Sequence, residues 1–189
     1  MGLDREVRET VERELRGEDP SSTTDEAVRI GACGCHMKIA GPEECEPAVE
    51  ALSGHMSDRQ RKRFRDKLER YVRKPDRDLI LAFHESEIVG FNCVIEQDEV
   101  PLELSPTMAL RLETFACGNG LMVLSEFRRR GIGIALQLRA EQWARERRKP
   151  GFWLITHRQS AWYARHFGYV EIGRIVIRGV ERRVMAKEL

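Results

Sequence analysis

The chain has 189 residues, of which 41% are hydrophobic and 33% charged, and its formal net charge is +1. This length predicts one domain, or one domain with an appendage. No stretch of the sequence approaches the roughly 18 apolar residues that a membrane helix needs, and no signal-peptide pattern is present. We therefore expect a cytoplasmic protein without a membrane partner.

The charge is unevenly distributed, because residues 126–189 hold 15 basic and 6 acidic side chains. A basic half favours an anionic partner, either a nucleic acid or an anionic cofactor. The few aromatic residues are not arranged for base stacking, which favours the cofactor and predicts no nucleic-acid partner. The odd number of cysteines, without zinc-type spacing, predicts reduced thiols and no metal site. They are Cys33, Cys35, Cys45, Cys93 and Cys117.

The sequence pattern of residues 1–27 predicts an N-terminal appendage to the folded domain. Apolar residues recur at every fourth position in residues 3–16, which indicates an amphipathic helix that ends at Gly17. Residues 17–26 are polar and contain proline and serine, which is typical of a linker. We therefore expect the folded domain over residues 28–189.

The first half of this domain predicts short strands, two helices and a hairpin. The strands are expected at 28–30 and 37–40, one helix over 42–55, and the hairpin over 78–85 and 88–96. Residues Ser57 to Gln60 match a capping box, which begins a strongly charged helix to about Val72. The many cations of that helix indicate either a solvated face or a substrate contact.

The second half alternates strands and helices. A short helix begins at Ser105 and Pro106, and residues 118–120 predict a turn into a buried strand at 121–124. The later elements are a turn at 125–127, a helix over 133–147, a strand at 152–156, a helix over 160–167 that Gly168 closes, and strands at 170–177 and 182–187. This order implies a parallel element, so the predicted fold class is α/β, with a mixed sheet of six or seven strands flanked by helices.

A strand, a glycine-bearing loop and a helix N-terminus together form a phosphate-binding device at residues 121–134. The free N–H groups at the helix start and the helix dipole favour an anion. Gly131 and Gly133 allow the backbone to approach a ligand, and the arginines at 128–130 add positive charge. The alternative is a basic helix start whose glycines serve packing. A Walker-type P-loop is excluded, because the sequence has no Gly-Lys-Ser/Thr run.

This segment resembles the acetyl-CoA loop of the GNAT-type N-acetyltransferases, whose core is Arg/Gln-x-x-Gly-x-Gly/Ala after a strand that ends in valine. The matching residues are Val123, Glu126, Arg128, Gly131, Ile132 and Gly133. The family usually has proline at the position of Ser125 and often glycine at that of Arg129. The resemblance covers roughly residues 28–189 and implies the GNAT acyl-CoA N-acyltransferase fold.

The resemblance also implies a function, which is direct transfer of an acetyl group from acetyl-CoA to a primary amine of a small molecule, an amino acid or a protein. The strand at 121–124 and the strand at 152–156 would separate to admit pantetheine, and the N–H of Val123 would hold the thioester carbonyl. No metal is implied. The implied cofactor-binding residues are Met122, Val123, Arg128, Arg129, Arg130, Gly131, Ile132, Gly133 and Ile134.

A second segment, Thr156 to Tyr169, resembles the late motif of the same family, in which an aromatic-Tyr pair precedes a Gly-aromatic ending. The resemblance implies that Tyr163 protonates the departing CoA thiolate. The family's usual interval from tyrosine to glycine is four residues, whereas Tyr163 to Gly168 is five. Either the helix end absorbs one residue, or Ala164 occupies the usual tyrosine position and the general acid is absent.

The general base that removes the amine proton is not fixed by the sequence. Glu113 is the leading candidate, with a surface carboxylate as the alternative. His157 and His84 are further candidates that fit ordinary loop and strand residues equally well. The stretch 97–120 is the candidate acceptor region. In the resembling family, the connection into the strand that corresponds to 121–124 commonly lines the acceptor groove.

Two other functions compete with the enzyme. The first is a catalytically degenerate domain that binds acyl-CoA as a sensor or partner, which the Tyr163 spacing keeps open. The second is a nucleic-acid-binding module that uses the basic half. The expected partner of the enzyme is a small-molecule or peptide amine acceptor, and a homodimer is one candidate assembly.

Overall fold

The computed structural model describes residues 27–30, 34–97, 100 and 104–189. The predicted helix at 3–16, the linker at 17–26 and Cys33 lie outside the described residues. The described residues form two compact units. The first unit takes the residues up to Val94 together with Gly120–Ala140, and the second takes Ile95–Asn119 with Glu141–Leu189.

The elements follow the order predicted from the sequence. The first half contains β1 (Ala27–Ile30), β2 (Cys35–Ile39), α1 (Cys45–Leu52), α2 (Asp58–Arg73), β3 (Arg77–His84) and β4 (Glu87–Ile95). The second half contains α3 (Pro106–Leu112), β5 (Ala116–Val123), α4 (Ile132–Glu146), β6 (Gly151–Thr156), α5 (Ser160–Phe167), β7 (Val170–Ile177) and β8 (Val180–Glu188). Short 3₁₀ turns, Pro42–Glu44 and Ser125–Phe127, precede α1 and follow β5.

The sheet is mixed, as predicted. In the first unit the strand order is β1-β2-β3-β4-β5, and in the second it is β5-β6-β8-β7. The described residues therefore give eight strands, or seven when the short edge strand β1 is not counted. Strands β5 and β6 are parallel, whereas β6 with β8 and β7 with β8 are antiparallel. The predicted α/β fold class is confirmed.

Helix α2 begins where the capping box predicted, because the N–H of Ser57 donates to Gln60 Oε1 at 2.9 Å. It ends before Pro75, whose ring disfavours a helical conformation at Lys74. Leu68 and Tyr71 are buried on its inner face. In β4, all residues from Ile88 to Ile95 are buried, so this strand lies inside the core.

The prediction of a turn at residues 118–120 is wrong, because these residues lie inside β5, which begins at Ala116. The glycines of this segment are explained by packing against residues distant in sequence rather than by a turn. A Cβ added to Gly118 would lie 2.8 Å from Cε1 of Phe152, within the second unit. Gly120 has a φ of +127°, which strongly favours glycine.

In the part of the chain that the structure describes, four cysteines are buried free thiols, namely Cys35, Cys45, Cys93 and Cys117. No helix of this part is long and apolar enough to cross a membrane.

Candidate functional site

The end of β5 is tied to the first unit by its backbone. The N–H of Leu124 donates to the carbonyl of Val89 in β4 at 2.9 Å. Because successive N–H groups of an extended chain point to opposite sides, the N–H of Val123 points away from β4. The Val123 side chain is 8% exposed, so the backbone here is anchored in the core while this N–H is directed to the other edge.

The loop that follows is fastened by arginine side chains. Arg128 donates from Nε to the carbonyl of Val123 at 3.0 Å, which closes the loop onto the strand that precedes it. Arg130 donates from Nη2 to the carbonyl of Glu126 at 3.0 Å, and its guanidinium lies 5.1 Å from the ring centroid of Phe127. These two guanidinium groups therefore shape the loop in addition to supplying charge.

Left-handed backbone turns the loop into the helix. Arg129 has a φ of +62° and Gly131 a φ of +84°. Gly131 adopts this conformation at little cost, whereas for Arg129 it costs on the order of 1–2 kcal/mol, because its Cβ crowds the following carbonyl. The family's frequent glycine at the Arg129 position has this physical reason.

Helix α4 begins at Ile132, one residue before the predicted start. The N–H of Ala135 donates to the carbonyl of Gly131 at 3.0 Å, so the N–H groups of Ile132, Gly133 and Ile134 have no carbonyl four residues earlier in the helix. The side chains of Ile132 and Ile134 are only 1% and 5% exposed. The buried isoleucines therefore hold a run of unpaired backbone donors at the positive end of the helix dipole.

The Tyr163 segment lies in the second unit. Tyr163 is on the buried face of α5 and is 8% exposed, and its ring centroid lies 5.6 Å from that of Tyr169. Burial raises the pKa of Tyr163 to about 12, because the surrounding apolar groups disfavour the phenolate. Gly168 closes the helix with a φ of +75°, and its N–H donates to the carbonyl of Ala164 at 3.1 Å.

The extra residue between Tyr163 and Gly168 thus lies inside one regular helix and its closing turn. Ala164 is exposed, whereas Tyr163 faces inward. Of the two alternatives left open by the sequence, this arrangement favours the one in which the tyrosine keeps the inner position.

With this geometry in place, comparison with known families is informative. The sequence description of the Acetyltransferase (GNAT) family matches residues 45–169, which is more than half of the chain. The chain belongs to the GNAT acetyltransferase family. The predictions of this family and of an acetyl-CoA-dependent acetyltransferase are confirmed by this match. No curated protein sequence gives a significant match.

Solved GNAT structures share the fold. A GNAT-family acetyltransferase from Streptococcus pneumoniae superposes with a TM-score of 0.59 at 16% identity, over 82% of this chain and 99% of that one. An aminoglycoside 6′-acetyltransferase type Ii gives 0.63 at 18% identity, over 80% and 96%. An aminoglycoside 6′-N-acetyltransferase complexed with coenzyme A gives 0.60 at 16%, also over 80% and 96%. At these identities the likeness establishes the fold alone.

The candidate bases of this GNAT protein occupy ordinary surroundings. Glu113 is exposed at the C-terminal end of α3, where its N–H donates to the carbonyl of Ala109. The Nδ1 atom of His157 lies 3.1 Å from the carbonyl oxygen of Glu181, and the ring is exposed. The ring of His84 lies 5.4 Å from that of Phe127. Proximity singles out none of them as the base.

Sequence reasoning missed residues that position the loop from a distance. A Cβ added to Gly90 of β4 would lie 2.8 Å from the carbonyl oxygen of Met122, so glycine allows β4 to approach β5. Asn92 is 1% exposed, and its Nδ2 donates to Leu136 O at 3.4 Å and Gln137 Oε1 at 3.3 Å. A glycine and an asparagine within an apolar strand pattern were the available signal.

Proposed function

We propose that this GNAT protein transfers an acetyl group from acetyl-CoA to a primary amine of a small molecule or a peptide by direct attack. The observation that carries the proposal is the run of unpaired N–H groups from Ile132 to Ile134, held beside the end of β5. Backbone donors at a helix N-terminus suit a diphosphate, because they combine hydrogen bonds with the positive end of the dipole.

In this proposal the diphosphate of acetyl-CoA binds the amides of residues 128–134, together with the positive charge of the three loop arginines. The N–H of Val123 donates to the thioester carbonyl oxygen. This hydrogen bond strengthens as negative charge develops on that oxygen, so it favours the transition state over the bound substrate.

Strand β6 continues beyond its pairing with β5. The pairing of β5 with β6 covers Ala116–Gly118 and Phe152–Leu154 and stops there, although β6 continues to Thr156. Ile155 and Thr156 pair with β8 on the other side. An extended pantetheine chain has amides that can pair with a strand edge of this kind, which supports a pantetheine-bearing substrate.

The chemical step is a substitution at the thioester carbon. The neutral amine nitrogen forms a bond to the acetyl carbon, the C–S bond breaks, and coenzyme A leaves as a thiolate. Tyr163 would donate its hydroxyl proton toward the departing sulfur. This hydroxyl is protonated at neutral pH, and because burial raises its pKa to about 12, it gives up the proton only as negative charge develops on the sulfur. The amine proton passes to water or to a base, for which Glu113 remains a prediction.

The test measures cofactor binding and transfer separately. Acetyl-CoA should raise the thermal unfolding midpoint, whereas S-acetylpantetheine, which lacks the diphosphate, should raise it far less at equal concentration. Thiol release over a panel of amines should then show amine-dependent turnover. Stabilisation without turnover on any amine would favour the acyl-CoA-binding sensor instead, and equal stabilisation by both thioesters would contradict the assigned diphosphate site.

A further inference from the structure

Helix α2 carries a basic stripe, which we define as Arg59, Arg63, Lys67 and Arg70. At 3.6 residues per turn, these four positions fall within about 80° of one another around the helix axis. The three acids of α2 fall outside this arc, and they are Asp58, Asp66 and Glu69. The stripe is thus a continuous band of one charge sign on a helix of 16 residues.

The stripe keeps its charge because its outer members are not neutralised. Arg59, Arg63 and Arg70 are exposed, and neither Arg59 nor Arg63 forms an ion pair with another described residue. Arg65, on a different side of α2, donates from Nε and Nη2 to the two carboxylate oxygens of Glu46 at 2.8 and 2.6 Å. Positive potential therefore remains along one side of the helix.

Lys67 brings the stripe to strand β5 of the first unit. A Cβ added to Gly120 of β5 would lie 2.9 Å from Lys67 Nζ, so the ammonium packs against this glycine. The ammonium also lies 5.8 Å from the ring centroid of Tyr71. Gly120 precedes Val123 by about 10 Å of extended chain. Lys67 thus places one cation of the stripe close to the strand that the proposed function assigns to the thioester.

The length of the stripe decides which acceptor fits it. From Lys67 to Arg59 the helix rises about 12 Å, which equals roughly four residues of extended peptide. A free amino acid would reach only one of these cations. A nucleic acid would need a stacking surface, but Tyr71 is buried and Phe64 packs against Phe91 at 5.4 Å. An extended peptide with carboxylates is the partner that matches both length and charge.

We propose that the acceptor is an acidic peptide segment, whose carboxylates bind the basic stripe while its amine reaches the acetyl group. This inference rests on the proposed function and specifies its substrate class. The carboxylates should stand about five to seven residues from the acetylated amine, so that they face Arg63 and Arg59 while the amine reaches past Lys67 and Gly120 to Val123.

The experiment compares two peptides of equal length that differ in Glu against Gln at positions five to seven after an N-terminal amine. With the full chain, kcat/KM for the acidic peptide should exceed that for the neutral peptide by about tenfold, as expected for two or three exposed ion pairs. In the double variant Arg59→Gln and Arg63→Gln this ratio should fall toward one. The matched control, Arg61→Gln with Arg73→Gln, loses equal charge outside the stripe and should keep the ratio.

A second readout does not depend on transfer. A labelled acidic peptide with its amine already acetylated should bind in fluorescence anisotropy, and the stripe variant should lose this binding while the control retains it. Transfer to both peptides with a ratio near one would overturn the acidic-peptide inference and leave the acetyltransferase intact. Failure of acetyl-CoA to bind would instead overturn the proposed function. Stripe-dependent binding of an oligonucleotide, with none of the peptide, would also overturn the inference.

Discussion

The loop before α4 and the helix α5 offer opposite kinds of chemistry. In the loop, backbone N–H groups are the unpaired donors, and the side chains of Arg128, Ile132 and Ile134 hold them in place. In α5 the backbone is satisfied by the helix and its closing turn, and one side-chain hydroxyl, that of Tyr163, is the reactive group. The loop should therefore be sensitive to added atoms and charges, and α5 to the removal of a single oxygen.

The largest effect is expected from Gly131→Glu. The added carboxylate would oppose the diphosphate, and like charges at close range cost several kcal/mol, so acetyl-CoA affinity should fall by at least about 100-fold in calorimetry. The matched control is Gly179→Glu. Gly179 also has a positive φ, +76°, and its Cβ position has no atom within 4 Å. Equal affinity in the two variants would remove the loop from the cofactor site.

The next effect is on turnover. Tyr163→Phe should lower kcat by about 100-fold or more, because a general acid typically contributes that much, while acetyl-CoA affinity stays within about twofold. Tyr169→Phe changes the neighbouring ring in the same way and should keep most of the activity. If Tyr163→Phe retains full kcat, the acid lies elsewhere.

The buried hydroxyl also predicts a dependence of stability on pH. The pKa of Tyr163 is raised from 10.0 in an ordinary tyrosine to about 12, so its contribution is complete below pH 10 and is lost as pH rises toward 12. The loss should approach about 3 kcal/mol of unfolding free energy. Denaturant unfolding between pH 9 and 12 should show a smaller decline for Tyr163→Phe than for the wild type. Equal declines would mean that the hydroxyl is solvated.

A smaller effect is expected from Gly90→Ala. The added Cβ would lie 2.8 Å from the carbonyl of Met122 and 3.2 Å from Leu136, so the variant should lose about 2 kcal/mol of stability and also weaken acetyl-CoA binding by displacing β5. Gly54→Ala, which meets nothing within 4 Å, is the control. Lost stability with unchanged cofactor affinity would separate Gly90 from the site.

The smallest effect concerns the charge and the backbone conformation of Arg129. Arg129→Gly should relieve the left-handed conformation and raise stability by about 1 kcal/mol, while the loss of one exposed cation should weaken acetyl-CoA binding only a few-fold. Arg178→Gly, at another non-glycine position with positive φ, should give a similar gain. An unchanged affinity in Arg129→Gly would show that the charge of this arginine does not contribute to cofactor binding.

Local patterns in the sequence were sufficient where the deciding interactions are local. The capping box at Ser57, the helix stop at Gly168 and the loop glycines all depend on neighbours within a few residues, and the predicted elements there agree with the structure. The fold class and the family followed from such segments.

The errors and omissions arise from contacts between distant residues. Gly118 looks like part of a turn, yet its lack of a Cβ is explained by Phe152. Gly90 and Asn92 act on the loop through Met122 and through Leu136 and Gln137, which no nearby pattern reveals. The base is missing for the same reason, since its identity depends on where the acceptor lies.

The bond from Arg128 to the Val123 carbonyl has a consequence for kinetics. Because the loop is already closed onto its strand by the protein's own groups, little conformational entropy remains to be lost when a ligand arrives. Association should therefore be fast and limited by encounter rather than by ordering. Arg128→Met should leave the loop less ordered in the ligand-free enzyme. The entropy cost of ordering the loop would then reduce the affinity for the ligand instead of being met during folding.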